Sequence, residues 1–188
     1  MEELIYILVI GIPAIIKLIG YLRRRLLMKK VREKGNLQNA KLIGFNLEEM
    51  DLSGINLKSA TLRKCNLKRA IFRETQLYRA DLTGSNLEDA DLSRTNMIEA
   101  NLNHTNLRNT KFFQSDLKET KFDGAIVDNT NFDGADIWKA DFRKAHIIKV
   151  DFSKAKNLDY AFFRDELEKK KGFGLWKLNY GIDSQEDT

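Results

Sequence analysis

The sequence predicts a solenoid with four sides to each coil, and three observations predict it. Every fifth residue from Leu37 to Phe152 is Leu, Phe, Met, Ile or Val, without a break in register. Two places before each stands a small residue, most often Ala, Thr or Ser (Ala60, Ala80, Ala90, Thr110), and one place before is usually Asn or Asp (Asn46, Asp51, Asn66, Asp81). Charges recur with alternating sign at intervals of twenty: Glu48, Lys68, Glu88, Arg108 and Asp128.

A helix turns about 100° per residue, so a period of five cannot line one of its faces. A straight strand alternates faces, so an odd period throws every second leucine outward. The chain must therefore bend the same way once in five residues, winding into a coil with the large residue inside. The interval of twenty sets four bends per coil. Residues one coil apart then stack at roughly 4.8 Å, where opposite charges attract and like charges repel. Asn46, Asn66, Asn86 and Asn106 form another such column and read as an amide ladder.

The elements follow in order. Residues 1–34 form a leader. Leu4 to Leu22 is apolar except for Lys17, just long enough to span a bilayer as a helix that Pro13 would kink. Arg23, Arg24, Arg25, Lys29 and Lys30 follow at once. As cations flanking a span they place it with the solenoid on the cytoplasmic side, and they are the candidate contacts for anionic lipid. A single-pass anchor is the favoured reading. An amphipathic helix lying on the membrane, or on the open end of the solenoid, stands beside it. The leader carries eight basic and three acidic residues, so it accounts for the whole net charge of +5.

Residues 35–156 form the solenoid. Its first coil is unusual, with Phe45, Met50 and Ile55 at the small positions, which predicts a widened end. Gly44, Gly84 and Gly124 share one corner column, where a positive φ would suit glycine. At Asn157 the period fails, with Leu158 one place late. Residues 157–188 are therefore read as a short helix from Tyr160 to about Lys170, entered at Asp159 and stopped at Gly172, then an apolar strip through Trp176 and a polar tail. This region is expected to cap the solenoid or to pair two copies of the chain.

The recurring Ala80-Asp81-Leu82-Thr83-Gly84 and Ala90-Asp91-Leu92-Ser93-Arg94 units resemble the pentapeptide-repeat family, over about two-thirds of the chain. The resemblance implies an all-β fold, a right-handed quadrilateral parallel β-helix, here with an N-terminal hydrophobic helix and a C-terminal capping helix. It implies no single activity: some members inhibit or protect DNA gyrase, and others bind other proteins.

Catalytic chemistry is not expected. His104 and His146 stand two coils apart on one side, too far for a shared metal, and Cys65 occupies a small inward position as a space-filler. No nucleotide fingerprint or nucleophile motif is present, and the carboxylates late in the chain are spread round the girth, facing lysines of the next coil. No catalytic residue, cofactor or metal is expected, nor specific nucleic-acid binding. The candidate protein contacts are Tyr78, Ile98 and Trp138, which share one outer column with Lys118 between them, and Trp176. A C-terminal tail folded over that column is the competing reading. The expected function is a non-catalytic, membrane-tethered scaffold for a protein partner. The alternative is a DNA mimic that binds gyrase, and it wants a strongly acidic surface.

Overall fold

The computed structural model describes residues 35–164, together with Leu26, Lys29 and the backbone of Lys177–Leu178. Leu26 and Lys29 are helical and exposed. The rest of the leader, including the run 4–22 with Arg23, Arg24, Arg25 and Lys30, lies outside the described residues, as do the expected helix beyond 164 and Trp176. Among the described residues no helix is long and apolar enough to cross a membrane.

The chain coils with a pitch of twenty residues. Parallel bridges join Asn36 to Asn56, Asn56 to Gln76, and so on up each side. Each rung is a pair of backbone bonds: the Leu37 amide donates to the Asn56 carbonyl (2.7 Å), and the Asn56 amide to the Gly35 carbonyl (3.1 Å). Leu82 lies under Leu102 through the bond from the Leu82 amide to Asn101 (2.9 Å). Most rungs are single bridges. Two lengthen into strands, β1 (Ile126–Asp128) and β2 (His146–Ile148), paired in parallel.

Corners explain the period. In most, the amide of the small residue donates to the carbonyl of the large residue three places back, as Ala40 does to Leu37 (3.0 Å). The residue before the small one takes a positive φ, the signature of a type II turn, at every corner from Asn39 to Lys149 except Lys144. Five glycines do so, but so do seventeen non-glycine corner residues, Lys64, Glu99 and His104 among them. The left-handed conformation costs an L-residue about 1–2 kcal/mol, and the ladder of backbone bonds above and below outweighs it. The Asn or Asp before each large residue completes the turn. Asn46 Oδ1 accepts the Glu48 amide (3.2 Å) and Asp51 Oδ1 the Ser53 amide (2.9 Å), an orphan donor satisfied two residues on.

The core is a thin column. Leucines fill the lower coils, and phenylalanines the upper ones in two facing stacks. Phe112, Phe132 and Phe152 stack on one side (5.3 and 5.0 Å between centroids), Phe122, Phe142 and Phe163 on the opposite side (4.3 and 5.2 Å). The stacks meet edge to face, as at Phe132–Phe142 (5.7 Å, 88°). Buried hydroxyls at the small positions bond to carbonyls one coil down, as Thr75 to Leu52 (2.8 Å) and Thr120 to Met97 (2.9 Å), or to their own corner, as Thr95 to Leu92 (2.7 Å). Among the described residues no buried side-chain polar atom lacks a partner. Cys65 is buried, and burial raises its thiol pKa to about 11.

Two expectations are corrected here. The solenoid does not stop at 156, and no helix starts at Tyr160. Asn157 takes up one extra residue in a left-handed conformation (φ 56°), and a single 3₁₀ turn, Leu158–Tyr160, follows. The register then resumes one place late: Phe162 bridges Asp141 and Phe163 enters the core over Phe142. A buried phenylalanine stack and a restored backbone ladder outweigh the helical pattern of residues 160–164. On the opposite side of the same coil, β3 (Val150–Asp151) is paired by an antiparallel β4 (Lys177–Leu178), so the returning chain covers part of the free edge.

Candidate interaction surfaces of the solenoid

The four sides are numbered from the first coil, starting at Asn36, Lys41, Asn46 and Asp51, each taken with the corner that follows it.

Side 1 carries the predicted column, and the structure does bring it together. The Arg79 amide bonds the Ile98 carbonyl (3.0 Å), Glu99 that of Lys118 (2.9 Å), and Glu119 that of Trp138 (2.9 Å), so Tyr78, Ile98, Lys118 and Trp138 stand in successive coils. All four side chains are half-buried. Three of them are fenced by charge. Tyr78 Oη donates to Glu99 (3.1 Å), and Arg79 lies 4.9 Å from its ring centre. Lys118 bridges Asp116 (3.0 Å) and Asp136 (3.2 Å). Lys139 Nζ sits 4.2 Å over the Trp138 ring, a cation–π contact. Burial disfavours the Asp136 carboxylate, but the Asn157 amide, the Trp138 backbone N–H and Lys118 outweigh it and hold its pKa below the usual value. The described part of the tail, β4, pairs on side 4 and not on this column.

Sides 3 and 4 are laced by ion pairs between adjacent coils. Lys68–Glu88 (2.7 Å) and Arg69–Glu49 (2.8 Å) follow the interval of twenty, Lys154–Asp133 (3.1 Å) joins a late carboxylate to a lysine of the next coil, and Arg73–Asp91 (2.7 Å) was not expected. The amide ladder is displaced from where it was expected. In the Asn46–Asn106 column the side-chain oxygens accept turn amides, and Asn66 Nδ2 turns to Glu48 (3.1 Å). The true ladder is at the corner, where Asn129 Nδ2 donates to Asn109 Oδ1 and Asn109 Nδ2 to Asp89 (2.9 Å each). Beside it a groove of about 750 Å³ crosses side 4, lined by Arg73, Asp91, Ser93, Lys111, Phe113 and Asn131 among others. No group of residues suited to a metal occurs among the described residues.

Side 2 differs. Over residues 36–164 it holds seven basic residues and three acidic ones, leaving +4, whereas side 1 balances and sides 3 and 4 each come to −1. Sequence reasoning summed the solenoid as neutral and missed this, because the excess shows only when residues are sorted by side. Its corner column alternates Gly44, Lys64, Gly84, His104, Gly124 and Lys144. The structure gives the reason: Lys64 Cγ lies 3.6 Å from where a Cβ on Gly84 would be, and the His104 ring within 2.4 Å of one on Gly124. The Lys64 distance is ordinary contact, so only Gly124 clears room, for the His104 ring to lie along the corner.

The pentapeptide repeats model matches residues 36–165 in overlapping stretches, with eight copies of the repeat. The chain belongs to the pentapeptide-repeat family. Such solenoids are right-handed β-helices, which is the fold seen here. Two solved members of the family are similar to it. HetL, involved in heterocyst differentiation regulation in the cyanobacterium Nostoc sp. strain PCC 7120, is 30% identical over 67% of this chain, with a TM-score of 0.50. The match spans 58% of HetL. A pentapeptide-repeat protein from the Arabidopsis thaliana thylakoid lumen is 24% identical over 72% of this chain and 83% of its own, with a TM-score of 0.51, and that likeness shows the fold alone. No curated protein matches the chain.

Proposed function

We propose that this pentapeptide-repeat protein is a non-catalytic scaffold, tethered to a membrane by residues 4–22 with its solenoid on the cytoplasmic side, that binds a protein partner through an outer side. The observation that carries the reading is the Tyr78–Ile98–Trp138 column. It offers half-exposed aromatic and aliphatic surface on a wall whose backbone is bonded above and below, so little conformational freedom remains to be lost on binding. The tether is supported by the sequence of the leader, an apolar run followed by five closely spaced cations. A DNA-mimic role in binding gyrase needs an acidic wall, and sides balanced to within one charge or net positive give it little support.

The full chain, expressed and fractionated, is expected to stay in the membrane pellet after alkaline carbonate and to be released by detergent. Recovery in the carbonate supernatant overturns the tether. Crosslinking from those membranes is expected to capture a partner that Ile98→Asp or Trp138→Ala loses. Capture unchanged by both substitutions overturns the column as the contact.

A further inference from the structure

We propose that side 2 is a docking surface for anionic lipid, so that the solenoid lies along the membrane with side 2 down and side 4 facing away from it. Three observations carry this. First, the charge excess of the solenoid is confined to one side. Lys41, Lys64 and Lys121 are exposed and have no acidic partner among the described residues, while the exposed Arg143 and Lys144 pair with the half-buried Asp141 and Asp123. Second, Lys64, His104 and Lys144 recur every second coil of one corner column at about 10 Å intervals, with Gly124 leaving room for the His104 ring, a row of donors on a flat wall. Third, the wall has an exposed apolar residue at each end, Ile43 (54% exposed) in the first coil and Phe162 (45%) in the last. Cations in a plane with apolar residues at its margins suit a headgroup layer, where Lys and Arg meet phosphates and apolar side chains dip below them. A nucleic-acid duplex would be read by an element entering a groove, and side 2 projects none.

The charge excess belongs to the solenoid alone. Only the orientation rests on the tethered reading above.

The test uses the full chain with Cys65→Ala and a single cysteine at Thr83 (side 2) or Ser93 (side 4), each carrying an environment-sensitive fluorophore. Vesicles are phosphatidylcholine alone or with about 30% phosphatidylserine, a content that gives an appreciable negative surface potential. The Thr83 probe is expected to move into an apolar environment only with phosphatidylserine, and the Ser93 probe in neither vesicle. Lys41→Glu with Lys64→Glu and Lys121→Glu is expected to weaken the phosphatidylserine-dependent response by about tenfold or more. Equal responses at the two positions, with the chain inserted in both vesicles, overturn the docking surface and leave the tether standing. Failure to insert in neutral vesicles, with the Thr83 response to phosphatidylserine kept, overturns the tether and supports the surface. Duplex DNA that abolishes the Thr83 response at equal phosphate concentration overturns lipid as the occupant.

Discussion

At the scale of the residue, the same backbone position is filled by glycine for different reasons. Gly44 and Gly124 both have a positive φ (70° and 64°), but a Cβ on Gly44 meets nothing within 4 Å, while one on Gly124 meets the His104 ring. Gly44→Ala is therefore expected to cost about 1 kcal/mol, the conformational term alone. Gly124→Ala should cost about 1 kcal/mol more from the added overlap, and His104→Ala should recover the difference. Denaturant unfolding of the three variants measures this. Asp91 gives a pH test. Its burial opposes charge, but the Ser93 hydroxyl and amide and the Arg73 guanidinium outweigh that and depress its pKa below 3.8. A depressed folded-state value adds stability above the unfolded pKa and loses it as pH falls through the folded one. The thermal midpoint is expected to drop below about pH 4, with Asp91→Asn showing a shallower drop because its side chain does not titrate, while it can still accept the turn amide. The Cys65 thiol, with its pKa raised to about 11, should resist alkylation at neutral pH until the chain unfolds.

At the scale of the element, the decisive event is the extra residue at Asn157. Residues 160–170 carry a helical pattern with good start and stop signals, and that pattern is local. What overrides it over 160–164 is not local: Phe163 finds the Phe142 ring at 5.2 Å and 6°, and the Phe142 amide finds the Phe162 carbonyl at 2.8 Å. Phe163→Ala should then cost about 3 kcal/mol and speed hydrogen exchange at the Phe142 amide. A helix docked loosely from Tyr160 onward would lose much less and leave that amide unchanged.

At the scale of the whole molecule, each coil touches only its neighbours, so stability is close to a sum over coils and their interfaces. Deleting residues 81–100, one full coil, keeps every column in line. The variant should keep its β spectrum and unfold at a somewhat lower denaturant concentration. Deleting seven residues, 81–87, moves each later leucine off the inward register and should abolish the β signal of the upper coils. The charge asymmetry belongs to this scale as well. Side 2 is basic because residues twenty apart share a wall, a property that neither net charge nor any short window of sequence displays.

The periodicity alone determined the bend every fifth residue, the coil of twenty, the inward residues and some of the ion pairs between coils, because a repeat under one steric rule leaves a single winding that buries all its large side chains. Tertiary structure decided what depends on two coils meeting: which amides form the ladder, why particular corners are glycine, that Phe163 rejoins the core, and which wall keeps unpaired cations. Those outcomes are differences between competing contacts of similar energy, and such differences are settled only when the competing groups are brought within a few ångströms of each other.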